Sequence, residues 1–345
     1  MSTELKKLPT VFEDLVSDNV SAIRIVYYDN HIGHVNALED IKRCYDVISL
    51  RFTKLTQVHA NSFRDFRNII SIAGSVELTG TSAKHMFKGL YKLQEIPYIN
   101  TLNIVDMSYM FMDCRSFNQP IDFDTKNVQN MASMFERCTT FNQPLLLDTG
   151  NVSSMMNMFK GCVSFNQSVP FDTSNVKFMG QMFDDCGKFN QYIYFNTRNT
   201  IDMDNMFRGC ISFNQHVAFD TQNVLCMAGM FECCWSFNQP VDFITPKVRN
   251  MLRMFMECKS FNQPVLFDTQ NVTDMGGMFE GCKSFNQPAT LDTRNVRRMT
   301  HMFSGCTSLN QKICLSIQSI DSLGCIFEQC NALKESPVLT LKIKD

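Results

Sequence analysis

One phrase of 24 residues, clearest at 261–284 as Phe-Asn-Gln-Pro-Val-Leu-Phe-Asp-Thr-Gln-Asn-Val-Thr-Asp-Met-Gly-Gly-Met-Phe-Glu-Gly-Cys-Lys-Ser, recurs without insertion or deletion through most of the chain. Phe-Asn-Gln begins at 117, 141, 165, 189, 213, 237, 261 and 285, and returns as Leu309-Asn310-Gln311. Met-Phe begins at 86, 110, 134, 158, 182, 206, 230, 254, 278 and 302 and returns as Ile326-Phe327, so the period holds for eleven turns. A unit this short cannot bury its apolar side chains alone, but it can do so against copies of itself. The expected fold is a repeat solenoid of stacked 24-residue coils.

Three regions follow from where the phrase is present. Residues 1–60 carry no copy and are expected to form a small α/β N-terminal cap, since a bare first coil would expose unpaired backbone. Within this cap the patterning predicts helices at 10–16 and 37–44 and strands at 22–28 and 47–52. Residues 61–330 are the solenoid, degenerate at first, with Phe63 in register with Phe87 and Ile69 with Leu93. Residues 331–345 supply a closing strand through Leu339, Leu341 and Ile343.

Each column has a physical task. Phe117, Ile121 and Phe123 contain an alternation suited to a strand, and Asp124-Thr125 marks a turn. Val128, Met131, Met134 and Phe135 then follow at spacings of three and four. Stacked in register, the phenylalanines form ring ladders with methionine filling the gaps, so the methionine stripe reads as core rather than as an adaptable binding face. The Asn118, Gln119 and Asn127 columns read as structural amide ladders, because an amide both donates and accepts.

Ten of the fifteen cysteines share one register, at 114, 138, 162, 186, 210, 234, 258, 282, 306 and 330. Parallel side chains one coil apart do not approach as a relaxed disulfide requires, so a reduced, buried ladder of small apolar fillers is expected. The six histidines share no register with it, and Cys44, Cys226, Cys233, Cys314 and Cys325 form no metal-binding pattern. Aspartates at 124, 148, 172, 220, 268 and 292 resemble a series of calcium ligands, yet the same column arises if each carboxylate, with its neighbouring threonine, bonds its own turn, which is the reading adopted. No metal or cofactor is assigned.

A net charge of −2 with 19% charged residues offers no concentrated basic surface for nucleic acid or anionic membrane. No apolar run is long enough to span a bilayer and the N-terminus lacks a signal-peptide core, so an intracellular or virion-associated location is expected. No Ser-His-Asp order, phosphate-cradling glycine loop or metal motif nominates an enzyme, and a site within the N-terminal cap is the one place left for it.

Written as Phe-x-x-Cys-x-Ser-Phe-x-x-Pro-Val-x-Phe followed by Asn-Val-x-x-Met-x-x-Met-Phe, the unit resembles the BspA-like leucine-rich repeat family over about 85–330. It is most similar to the branch found in microbial surface proteins and in some protist and large-DNA-virus proteins. The resemblance implies a right-handed, leucine-rich-repeat-like β-solenoid with a stacked parallel sheet, used for protein binding, as an assembly scaffold or as a surface adhesin. Recognition must then reside in outward positions that differ between coils. Those alternating with Ile121 and Phe123 nominate Tyr192, Tyr194 and His216 as a partner-binding patch, flanked by Leu146 and Leu266.

Overall fold

The computed structural model describes residues 22–334 and 338–340, apart from Arg43, Thr290, Ser322 and Leu323. It is a β-rich repeat array with almost no helix. Strands β1 (Ile23–Tyr27), β2 (Ile32–Val35) and β3 (Val47–Phe52) form an antiparallel unit in the order β2-β1-β3. β3 also pairs in parallel with β5 (Ser71–Ala73), Ser49 facing Ser71, so parallel stacking begins inside the segment that the sequence assigns to the cap. Strands β4 (Thr56–Val58), β6 (Ser75–Leu78) and β7 (Tyr98–Asn100) form a second parallel sheet, and β8 (Cys314–Ser316) pairs with β9 (Val338–Thr340) near the other end.

The expected strands at 22–28 and 47–52 are present as β1 and β3. The helix expected at 37–44 is not. Two short 3-10 turns, Leu38–Asp40 and Cys44–Asp46, stand there, and Ile41 between them is extended at φ −81° and ψ 105°. The reason is local: Ile41 is the segment's buried apolar residue, and Asp40 Oδ2 accepts the Ala37 N–H at 3.3 Å, closing a turn rather than starting a helix. The helix expected at 10–16 lies outside the described residues.

Through the regular region, parallel bridges join residues 24 apart, from Ser82↔Asp106 through Asn130↔Ser154 to Asp274↔Arg298. This ladder differs from the one expected at Ile121 and Phe123, whose column pairs mainly at the ends, in β6–β7 and β8–β9, and as Ile193↔Val217 and Val241↔Val265 between them. The second arm of each rung is not helical either. In the rung at 117–140, Met131, Ser133, Phe135 and Arg137 donate their N–H groups across to the carbonyls of Ser154, Met156, Met158 and Lys160 at 2.6–3.1 Å. The alternate amides of Met134, Glu136 and Cys138 donate back to Met131, Ser133 and Phe135 in the same rung at 3.0–3.2 Å. Every buried amide in the arm is thereby satisfied. This ribbon needs left-handed backbone every fourth residue, at Ser133 (φ 56°) and Arg137 (φ 59°), and these two columns collect glycines such as Gly209, Gly229 and Gly281.

Side chains lock the rungs in the same way. Thr125 Oγ1 donates to the Asp148 carbonyl of the following rung at 2.9 Å, and Asn127 Nδ2 donates to the Leu102 carbonyl of the preceding one at 2.8 Å. Asn142 Oδ1 accepts the Asn166 N–H at 2.9 Å and Gln167 Nε2 at 3.2 Å, which makes the amide columns a ladder. The cysteines do more than fill space. Cys138 Sγ donates to the Phe111 carbonyl at 3.0 Å, and the same bond recurs for the other nine thiols in this register. Burial pushes these thiols well above their ordinary pKa, which holds them in the donating form.

The interior is a double file of rings. Phe135 stacks on Phe159 at 5.7 Å and Phe159 on Phe183 at 5.6 Å, while Phe165, six residues on, lies 4.3 Å from Phe159. Met131, Met134 and their repeats are fully buried beside them. One outer column instead alternates in charge, reading Glu136, Lys160, Asp184, Arg208 and Glu232. Buried Asp184 is clasped from both sides, by Lys160 Nζ at 3.1 Å and Arg208 Nε at 2.7 Å.

Candidate functional site

Because Ile121 and Phe123 turn inward, the residues at 120 and 122 and their repeats face solvent. Leu146, Tyr194 and Leu266 occupy one such outward column and are 88%, 87% and 77% exposed. Tyr192 and His216 stand in the other, on adjacent rungs, and both are exposed. The Tyr192 and Tyr194 rings lie side by side at 6.4 Å, presenting two flat amphipathic faces. Leu146 is two rungs from Tyr194 and Leu266 three, roughly 10 and 14 Å away at a sheet spacing of about 4.8 Å. The nominated residues thus form a close tyrosine pair with outlying leucines, separated on the same column by Pro170 on one side and by Ala218 and Asp242 on the other. Tyr98, in that column and 66% exposed, went unnoticed in the sequence because the phrase is degenerate in its rung.

The aspartate column is occupied with its own turns. Asp124, Asp148, Asp172, Asp220, Asp268 and Asp292 each accept the N–H two residues on through Oδ1, at 2.9–3.3 Å. Their neighbouring threonines reach instead to the next rung. On the side of the bridge ladder, Asp202 borders a shallow hollow with Ile201, Asp204, Leu225 and Cys226. Burial first and the Asp204 carboxylate second push its pKa up to about 6.

A basic groove of about 640 Å³ near the first rungs is lined by Asn61, Arg64, Arg67, His85, Lys88 and Tyr91. Burial and the nearby Lys88 and Lys84 lower the pKa of His85, and both lysines lie over the Tyr109 ring at 5.5–5.8 Å. These residues are spread over 61–91, so no run of basic residues reveals them.

A family model described as "Mycoplasma protein of unknown function, DUF285" matches residues 81–194, 168–244, 192–288 and 242–339. The chain belongs to the DUF285 family. The four matches overlap and each spans several rungs, as expected when the DUF285 unit is an array rather than a single coil. No curated protein matches the chain. No helix among the described residues of this DUF285 member is long and apolar enough to cross a membrane.

Cys325, read from the sequence as part of no metal pattern, lies with His301 and Glu328, and one ligand atom from each falls within 4.8 Å of the others. The signal was present as His-x23-Cys-x2-Glu, which has meaning only once the 24-residue period is treated as spatial adjacency.

Proposed function

We propose that the chain is a non-enzymatic protein-binding scaffold, a right-handed, leucine-rich-repeat-like solenoid of the BspA-like kind that serves as a component of a larger protein assembly. Its repeated columns are consumed by packing and by bonds between rungs, which leaves the unlike outward positions to carry recognition. The observation that carries the reading is the Tyr192 and Tyr194 pair, solvent-exposed with rings 6.4 Å apart on the outward columns that vary from rung to rung. Tyrosine supplies large contact area at small entropic cost, and Leu146 and Leu266 extend the apolar surface on either side. A regular array presents the same groups on every rung, which disfavours the convergence of unlike polar residues that catalysis needs. The partner is another protein, with no nucleic-acid or membrane-inserting role.

With the full chain as bait in an extract of its native source, Tyr192→Ser combined with Tyr194→Ser is expected to cut specific partner retention by about tenfold or more. The melting temperature stays within the small range of surface substitutions. Undiminished retention by a variant of unchanged melting temperature contradicts the assignment, as does a loss of fold, which makes the pair structural.

A further inference from the structure

The structure assigns a zinc site to His301, Cys325 and Glu328, at the end of the array where the repeat decays. One donor atom of each falls within 4.8 Å of the other two, and His301 Nδ1 lies 4.0 Å from Glu328 Oε2. Among the described residues this is the one place where three groups able to ligate a metal converge. Imidazole, thiolate and carboxylate together are a donor set that zinc accepts, with three protein ligands and a fourth position left to water. A thiolate is a poor ligand for calcium or magnesium, which take oxygen.

The backbone beneath the cluster is pinned, so closing on a metal requires only side-chain rotation. His301 N–H donates to the Gly324 carbonyl at 3.0 Å, Phe303 N–H to Ile326 at 2.9 Å and Gly305 N–H to Glu328 at 2.7 Å. His301 and Cys325 share one register and adopt φ of 57° and 56°, a conformation that glycine fills at 229 and 277 in the same column. The metal would tie the rung at 309–332 to the one before it. That rung needs an extra tie, since Leu315-Ser316-Ile317 replaces Phe-Asp-Thr there and Leu309 replaces the phenylalanine of its column. On coordination the Cys325 thiol proton passes to solvent and a zinc–sulfur bond forms.

The test is a cobalt titration of the reduced full-length chain. The near-ultraviolet thiolate-to-cobalt charge-transfer band is expected to saturate at about one equivalent and to be abolished by added zinc. His301→Gly and Cys325→Gly, both compatible with left-handed φ, are expected to weaken binding beyond the roughly 10–100-fold that loss of a supporting partner costs. Cys314→Ser, an exposed thiol outside the cluster, leaves the titration unchanged. Circular dichroism without metal confirms that each variant is folded. No thiolate band in the unaltered chain, or a band that survives Cys325→Gly, overturns the assignment.

Discussion

Phe159→Ala is expected to destabilise the array by about 3–5 kcal/mol in denaturant titration, the largest effect of any single substitution considered for this chain. The ring is fully buried and touches four others: Phe135, Phe165, Phe171 and Phe183, at centroid distances of 4.3–6.4 Å. Truncation leaves a void that the neighbouring rungs cannot collapse into. Phe135 N–H is bonded to the Met158 carbonyl and Phe159 N–H to Met182, each at 2.9 Å, and these bonds fix the rung spacing. Phe159→Leu, which keeps much of the volume, costs less than about 1.5 kcal/mol. Equal losses from the two variants would show that ring stacking is not what fills this layer. Because each rung contacts only its neighbours, hydrogen exchange in Phe159→Ala should quicken first in the rungs on either side.

Arg208→Ala is expected to cost about 2–3 kcal/mol at neutral pH. That lies below the roughly 3–5 kcal/mol for breaking a fully buried pair, because the arginine side chain is itself 35% exposed. The loss falls on Asp184, whose side chain is 1% exposed and keeps only Lys160 at 3.1 Å once the guanidinium has gone. Burial already raises the Asp184 pKa above the usual carboxylate range, and the two cations offset this in part. A raised folded-state pKa means that the folded form holds its proton more tightly than the unfolded chain does. Stability from that proton is full at low pH and lost as pH climbs through the folded value. Without Arg208 the folded pKa rises further, so the deficit of the variant should be near zero below about pH 4 and widen towards neutrality. Melting temperatures at acid and neutral pH check this. A deficit that is constant with pH would instead assign the effect to lost packing of the arginine stem.

What the sequence made legible depended on whether a property repeats. Phe117, Phe123, Phe135, Met131 and Met134 recur in register, so their burial could be read before any coordinates. The amide ladder through Asn118, Asn142 and Asn166 was legible for the same reason. The ribbon from Met131 to Cys138 was not. Its three- and four-residue spacings look like helix, and the alternation of amide partners rests on left-handed backbone at Ser133 and Arg137, which are not residue types that announce it. The thiol bonds to phenylalanine carbonyls were missed because cysteine is equally apt as an apolar filler.

Of the candidate site, the outward direction of Tyr192, Tyr194, His216, Leu146 and Leu266 followed from alternation. The proximity of His301 to Cys325, and the gathering of Arg64, Arg67 and Lys88 in one groove, did not. Those groupings join residues from different rungs whose types do not repeat, so no column displays them.

The rungs are laid in order of sequence at a uniform interval, which distances along the outward column measure directly. Spin labels introduced as non-natural amino acids at Tyr98 and, in turn, at Leu146, Tyr194 and Leu266 would disturb only exposed positions. At about 4.8 Å per rung, the separations are expected to rise steadily, near 10, 19 and 34 Å before allowance for label length. Distances that fail to increase in that order, or that reach a plateau as separate globular bodies would produce, contradict the stacked array and every assignment built on it.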